Sequence, residues 1–139
     1  MSTTEDNIAS IKSLYTIWAE TKGNCPEDLA GIFADNVHLA SMDDSQLGLT
    51  FAKTASTRAD AVRYFSGILD EWEMVHHTPG EVFGDGDRIA MFGSCGWRNK
   101  QTGKTAECRI ANFWRFKDGK AVEFIDVFDS ARAVAAATP

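Results

Sequence analysis

From residue 74 onward the chain is punctuated by three turn signals: Gly84-Asp85-Gly86, Asn99-Lys100-Gln101-Thr102-Gly103 and Lys117-Asp118-Gly119. They separate four segments rich in β-branched and aromatic residues, roughly 74–83, 88–98, 105–116 and 121–128. Strands joined by connections this short pair antiparallel, because a parallel crossover takes about a dozen residues or more. The second half therefore reads as a four-stranded meander. Pro79 has no N–H to give to a ladder, so its strand is expected at an edge or a bulge.

The first half has a different period. Ile8, Ile11, Tyr15 and Trp18 recur at helical spacing, with Thr3 or Thr4 as cap, acidic Glu5 and Asp6 in the first turn, and Gly23 as terminator. A second, shorter helix is expected from Pro26, where a missing N–H costs nothing, with Leu29, Ile32 and Phe33 as its buried stripe. A short strand follows at 37–41, and 42–56 has no clean period and reads as a loop or lid. Thr57 and Asp60 resemble a capping box that opens a third helix, with Val62, Phe65, Leu69 and Trp72 on one face. Residues 131–137 read as a short helical or frayed tail. No repeat, linker or low-complexity stretch interrupts the chain, so one domain over residues 1–139 is expected.

Alternation along the strands sorts their side chains by face. In the last segment Val122, Phe124, Asp126 and Phe128 share one side, against Glu123, Ile125 and Val127. In the segment before it, Cys108, Ile110, Asn112, Trp114 and Phe116 lie together, and before that Ile89, Met91, Cys95 and Trp97. The more apolar faces should meet the helices, which puts Asp126 and Asn112 among large aromatics. A buried carboxylate costs several kcal/mol unless it is paired or neutralised, so Asp126 is either satisfied internally or used. The opposite face carries Ala111, Phe113, Ile125 and Val127, apolar enough to imply a sheet-to-sheet homodimer.

Several function classes fall away. The formal charge of −6, with Lys and Arg scattered singly, does not suit a phosphate backbone, so no nucleic acid is expected. No apolar run approaches the length of a membrane span, and the polar stretch 1–7 carries no export signal. Three cysteines at unrelated spacings (Cys25, Cys95, Cys108) fit a reduced, cytoplasmic compartment. His76 and His77, adjacent in a strand, point to opposite faces and do not ligate one metal together. One of the two should face any pocket. His38, in the first strand, is a further candidate. Asp43-Asp44-Ser45 with Gly48 hints at a calcium loop, but Thr54 stands where a bidentate Glu is required. Gly93-Ser94-Cys95-Gly96 lacks the strand–turn–helix context of a nucleophile elbow. Neither a metal nor a cofactor is expected.

The order of helices and meander, the Tyr15-x-x-Trp18 helix, the Gly86-Asp87-Arg88 turn and the run from Asn112 to Asp129, with its Trp114-Arg115-Phe116-Lys117-Asp118-Gly119-Lys120 core, form one pattern. It resembles the SnoaL-like, ketosteroid isomerase-like branch of the nuclear transport factor 2-like superfamily over nearly the whole chain. The resemblance implies an α+β fold, in which a cone-shaped, curved, mostly antiparallel sheet packs on three helices as a cystatin-like α+β barrel. It also implies a ligand inside the cone and, commonly, dimers. Asp126 matches the position where family enzymes often hold a pocket aspartate acting as base or acid. Tyr15 and Trp18 lie on the helix that supplies an oxyanion-binding tyrosine in ketosteroid isomerases. The Arg-x-Asp triplet of the epoxide hydrolases is missing from 88–98.

In a cone the pocket is the unfilled part of the core, so core aromatics double as ligand contacts. The candidate catalytic residues are Asp126 and His77. The candidate ligand contacts are Tyr15, Trp18, His38, Phe65, Trp72, His76, Trp97, Asn112, Trp114 and Phe128. The expected function is a cofactor-independent isomerase, cyclase or lyase in which Asp126 moves a proton on a small hydrophobic carbonyl compound. The alternative is a ligand-binding or dimeric scaffold of the same fold. A cavity of ligand size beside Asp126 favours the first, and a cone filled by aromatics the second.

Overall fold

Of the two threonines that could open the first helix, Thr3 is the cap. Its hydroxyl accepts from the Asp6 N–H while the Asp6 carboxylate accepts from the Thr3 N–H, a complete capping box ahead of α1 (Thr4–Glu20). Ile11, Leu14, Tyr15 and Trp18 form its buried stripe, and Gly23 ends it in the left-handed region, its N–H bonded to the Trp18 carbonyl. This computed structural model describes residues 3–43 and 46–139. Met1 and Ser2 of the polar start, and Asp44 and Ser45 of the calcium-like sequence, lie outside the described residues.

The chain continues as α2 (Pro26–Ile32), β1 (Phe33–Ser41), β2 (Ala55–Thr57), α3 (Arg58–Glu71), β3 (Trp72–Asp85), β4 (Arg88–Asn99), β5 (Thr105–Lys117), β6 (Lys120–Phe128) and α4 (Ser130–Ala137). The four strands of the meander stand where the turn signals put them. Asp118 and Gly119 both take positive φ, as a two-residue type I′ turn between Lys117 and Lys120 demands.

Three expectations shift. Phe33 leaves the second helix and begins β1, four residues ahead of the expected strand. The 42–56 stretch ends in the short strand β2, whose three residues are too few to show a period. On α3 the buried stripe is Ala61, Tyr64, Phe65 and Ile68, whereas Val62 and Leu69 are half-buried. The apolar side chains at 62 and 69 pull a hydropathy pattern away from Tyr64, whose ring is nonetheless buried on the face that meets the sheet.

The sheet runs β2-β1-β6-β5-β4-β3, antiparallel throughout except for the parallel β1–β6 pair. It curls without closing, so the cone is an open one, with β2 and β3 as its edges. Pro79 sits on the edge strand β3, where the register slips between Pro79 and Glu81. Gly93 lies opposite, and a Cβ there would meet the Thr78 carbonyl oxygen at 2.4 Å. Gly93 thus serves close strand approach, and Gly96 makes room for the His76 and Glu107 side chains, rather than either serving a nucleophile. α1 and α3 cover the concave face, and α4 packs against β5 and β4.

Among the described residues, no helix is long and apolar enough to cross a membrane. All three cysteines are free and buried.

Candidate functional site

The concave face holds a cavity of about 100 Å³. Its wall is mostly aromatic and aliphatic, with Asp126, Asn112, Tyr15 and His77 as polar members. Each comes from a different element: Asp126 from β6, Asn112 from β5, Tyr15 from α1 and His77 from β3. Alternation aims Asp126 inward between Ile125 and Val127, and register sets it beside Asn112 on β5 and Ser41 on β1.

The carboxylate is held by two neutral donors. The Tyr64 hydroxyl donates to Oδ2 at 2.7 Å, and the Asn112 amide donates to Oδ1 at 3.1 Å. Behind Asn112 runs a relay. The Trp114 indole N–H donates to the Tyr15 hydroxyl at 2.9 Å, and that hydroxyl donates to Asn112 Oδ1 at 2.9 Å. The relay fixes which way the Asn112 amide points, and so which of its atoms reaches Asp126. Burial pushes the Asp126 carboxyl up from 3.8 to about 6, against the hydrogen bonds from Tyr64 and Asn112, which lower it. The Tyr64 and Tyr15 hydroxyls are raised above the usual phenol range, chiefly by burial, and stay protonated as donors.

His77 is the other polar group in the wall. Burial, helped by neighbouring His76, lowers its pKa from 6.5 to about 4, so the imidazole is neutral at physiological pH. It stacks on Tyr15 at 5.5 Å between ring centroids and meets Trp18 edge-on. Its Nδ1 is buried without a hydrogen-bond partner. A buried polar atom left unpaired in a cavity wall is a group with capacity for a ligand.

Ten of the twelve sequence-derived candidates line the cavity: Asp126, His77, Tyr15, Trp18, Phe65, Trp72, Trp97, Asn112, Trp114 and Phe128. Two do not. His76 points to the outer face, where its ring bonds Thr78 and Glu107. His38 is exposed on β1, because its neighbours Val37 and Leu39 take the buried side. For His38 the period of two decides, whereas on β3, where Trp72 and Met74 are buried, the register shift between Met74 and His76 turns His77 inward in place of His76.

Sequence reasoning missed Tyr64, which makes the shorter of the two bonds to Asp126. The available signal was its position, three residues after buried Ala61 and next to Phe65. Phe51, Cys95 and Cys108 are further wall residues. The last two stand side by side in register on β4 and β5, with His77 opposite Cys95 on β3. Burial pushes the Cys95 thiol up to about 12 and raises Cys108, so neither is a ready nucleophile. Among the described residues no group of three or more His, Cys, Asp or Glu could hold a metal ion.

Comparison with known proteins agrees with this architecture. No curated protein matches the sequence. An NTF2-like protein from Burkholderia thailandensis is 23% identical, each chain covered in full, with a TM-score of 0.81. A protein of ketosteroid isomerase-like fold from Catenulispora acidiphila, solved in complex with trimethylamine, is 16% identical over 89% of this chain and 92% of that one, with a TM-score of 0.73. TerC, co-crystallised with polyporic acid, is 21% identical over 94% of this chain and 97% of that one, with a TM-score of 0.72. At these identities the likeness is one of fold. The sequence carries the family itself: residues 11–124 match the SnoaL-like domain, and the chain belongs to that family.

Proposed function

We propose that this protein is a cofactor-independent enzyme in which Asp126 transfers a proton on a small hydrophobic carbonyl compound. The observation that carries the reading is a lone carboxylate, raised to about 6, in the wall of an aromatic cavity. A base whose conjugate acid is this strong can take a proton from a carbon beside a carbonyl near neutrality and return it to another carbon. The Tyr64 and Asn112 bonds hold the carboxylate in one orientation throughout. The neutral His77 imidazole, with free hydrogen-bonding capacity, is the group in the wall suited to meet the carbonyl oxygen as charge develops on it. This reading needs a compact substrate, since about 100 Å³ is smaller than the roughly 150 Å³ apolar cavity that takes benzene.

Deuterium incorporation into a panel of small ketones in D2O, followed by NMR, tests the proposal. Exchange should be catalysed by the parent protein and should fall about a hundredfold or more in Asp126→Asn, the usual range for general acid–base catalysis. Equal exchange by parent and variant would rule out Asp126 as the base. The small volume also favours the scaffold reading, in which the cone is a ligand-binding core without turnover. That reading predicts saturable ligand binding with no exchange for any ketone.

A homodimer through the outer sheet face belongs to the same proposal. Phe92, Ala111 and Val127 stand in register across β4, β5 and β6, beside the row Ala90, Phe113 and Ile125. Phe83 stacks on Phe92, and both are half exposed, at 52% and 51%. Polar pairs flank this apolar centre, Arg115 with Asp87 and Glu123 on one side and His76 with Glu107 on the other. Sedimentation at micromolar concentration should give a dimer, and Val127→Arg a monomer. A monomeric parent would remove the outer face from the proposal.

A further inference from the structure

Among the described residues, the cavity wall contains one acid and no lysine or arginine. The Asp126 oxygens accept, among the described residues, from two neutral donors, the Tyr64 hydroxyl and the Asn112 amide. A carboxylate taken out of water with no counter-charge is expensive, and neutral hydrogen bonds recover only part of that cost. Much of the remaining wall is aromatic, with Trp18, Trp72, Trp97 and Phe65 among its members. Aromatic rings carry negative charge on their faces and attract cations, more strongly when water is excluded. A neutral ligand supplies no counter-charge for the carboxylate and no cation for the ring faces.

We infer that this cavity binds a compact alkylammonium cation, with Asp126 as its counter-ion and the aromatic side chains as its wall. The inference rests on the reading of the cavity as a ligand site, and it concerns the class of ligand rather than turnover. Size agrees: a nitrogen carrying a few methyl groups fits a space smaller than a benzene site. An ammonium seated against Asp126 occupies the proposed base, so amines compete with carbonyl ligands.

The pH dependence follows from what surrounds the carboxylate. Tyr15 on α1 and Tyr64 on α3 remain protonated, and Cys95 on β4 and Cys108 on β5 remain thiols. His77 on β3 is neutral above about pH 4, and the register partners Asn112 and Ser41 do not ionise. The Asp43 side chain, near Tyr64, accepts from the backbone N–H groups of Leu47 and Leu49. Among the described wall residues, Asp126 is therefore the group that changes charge between pH 5 and 8.

The test uses two ligands of nearly equal shape, tert-butylammonium and tert-butanol, titrated into the full chain by calorimetry or NMR at pH 5 and pH 8. The cation should bind about tenfold or more tightly than the alcohol at pH 8. It should lose about tenfold at pH 5, one unit below the Asp126 pKa, while the alcohol changes little. Asp126→Asn should abolish the preference for the cation and keep alcohol binding, which shows the variant still has its cavity. The inference is overturned if the alcohol binds as well as the cation at pH 8, if Asp126→Asn leaves cation binding intact, or if neither ligand binds. Deuterium exchange is read separately. A protein that prefers the cation and exchanges no ketone keeps this inference and loses the proton-transfer proposal.

Discussion

The two faces of the one curled sheet solve opposite problems with neighbouring residues. His76 and His77 are consecutive, yet the first is held on the outer face by Thr78 and Glu107 while the second lies in the cavity wall with an unpaired Nδ1. Trp114 and Arg115 are consecutive as well. Trp114 is 1% exposed, packed on Phe33 and Phe124 and bonded to Tyr15. Arg115 lies over the Phe113 ring and reaches Asp87 and Glu123 in solvent. On the outer face charge is balanced by charge, in water, where each pair is worth little. On the inner face a carboxylate is balanced by dipoles alone, out of water, where every bond to it matters. A pleated strand thus lets one stretch of sequence build a solvated surface and a desolvated electrostatic site at once.

The largest test of that contrast is packing. Trp114→Ala should destabilise the fold by about 3–5 kcal/mol, since it empties the centre of the aromatic core and breaks the relay behind Asn112. Arg115→Ala, one residue along, should change stability only slightly. Urea unfolding of the two variants checks this, and comparable losses would mean the outer ion pairs matter as much as the core.

Next comes the pH dependence of stability, in which the two cavity groups act in opposite senses. Asp126 has a folded pKa of about 6, above its ordinary 3.8, so the folded state holds the extra proton between these values. Stability therefore falls as pH rises from about 4 through 6. His77 has a folded pKa of about 4, below 6.5, so the folded state resists protonation and stability falls as pH drops through that window. Asp126→Asn should be more stable than the parent by about 1–3 kcal/mol at pH 8 and gain little at pH 3. The new amide can keep both contacts, because the Tyr64 hydroxyl can turn to accept. His77→Phe should lose the acid-side decline. Thermal unfolding of the parent and both variants from pH 3 to 8 reads the two slopes. Parallel curves would show that these groups titrate as if in water.

The smallest expected effect separates the two bonds to Asp126 from the outer histidine. Tyr64→Phe removes one donor that holds the pKa down, so the Asp126 titration, followed by carboxyl NMR shifts, should move up while stability drops by about 1 kcal/mol. His76→Ala, whose ring bonds only outer-face partners, should leave that titration where it is. A downward move in Tyr64→Phe would show that the hydroxyl is not the donor.

The sequence by itself determined the meander strands, the first helix and the faces of β5 and β6, but not the buried face of α3 or the start of β1. Turn residues with fixed backbone demands, such as Asp118-Gly119 at positive φ, mark the strand ends, and the period of two then assigns Asp126, Asn112 and Trp114 to one side without any knowledge of the fold. The Thr3 cap and the Gly23 stop are likewise local, because each satisfies backbone groups within a few residues. What only the tertiary structure decided is who meets whom across elements. Tyr64 reaches Asp126 across 62 residues of chain, and Tyr15 reaches Asn112 across 97. The choice between His76 and His77 for the cavity also waited on the register of β3 against β4, as did the exclusion of His38 on that of β1. The reason is physical. Alternation and capping are short-range consequences of backbone geometry, whereas the charge state of a carboxylate is set by the water it has lost and the donors it has gained, and both come from segments distant in the chain.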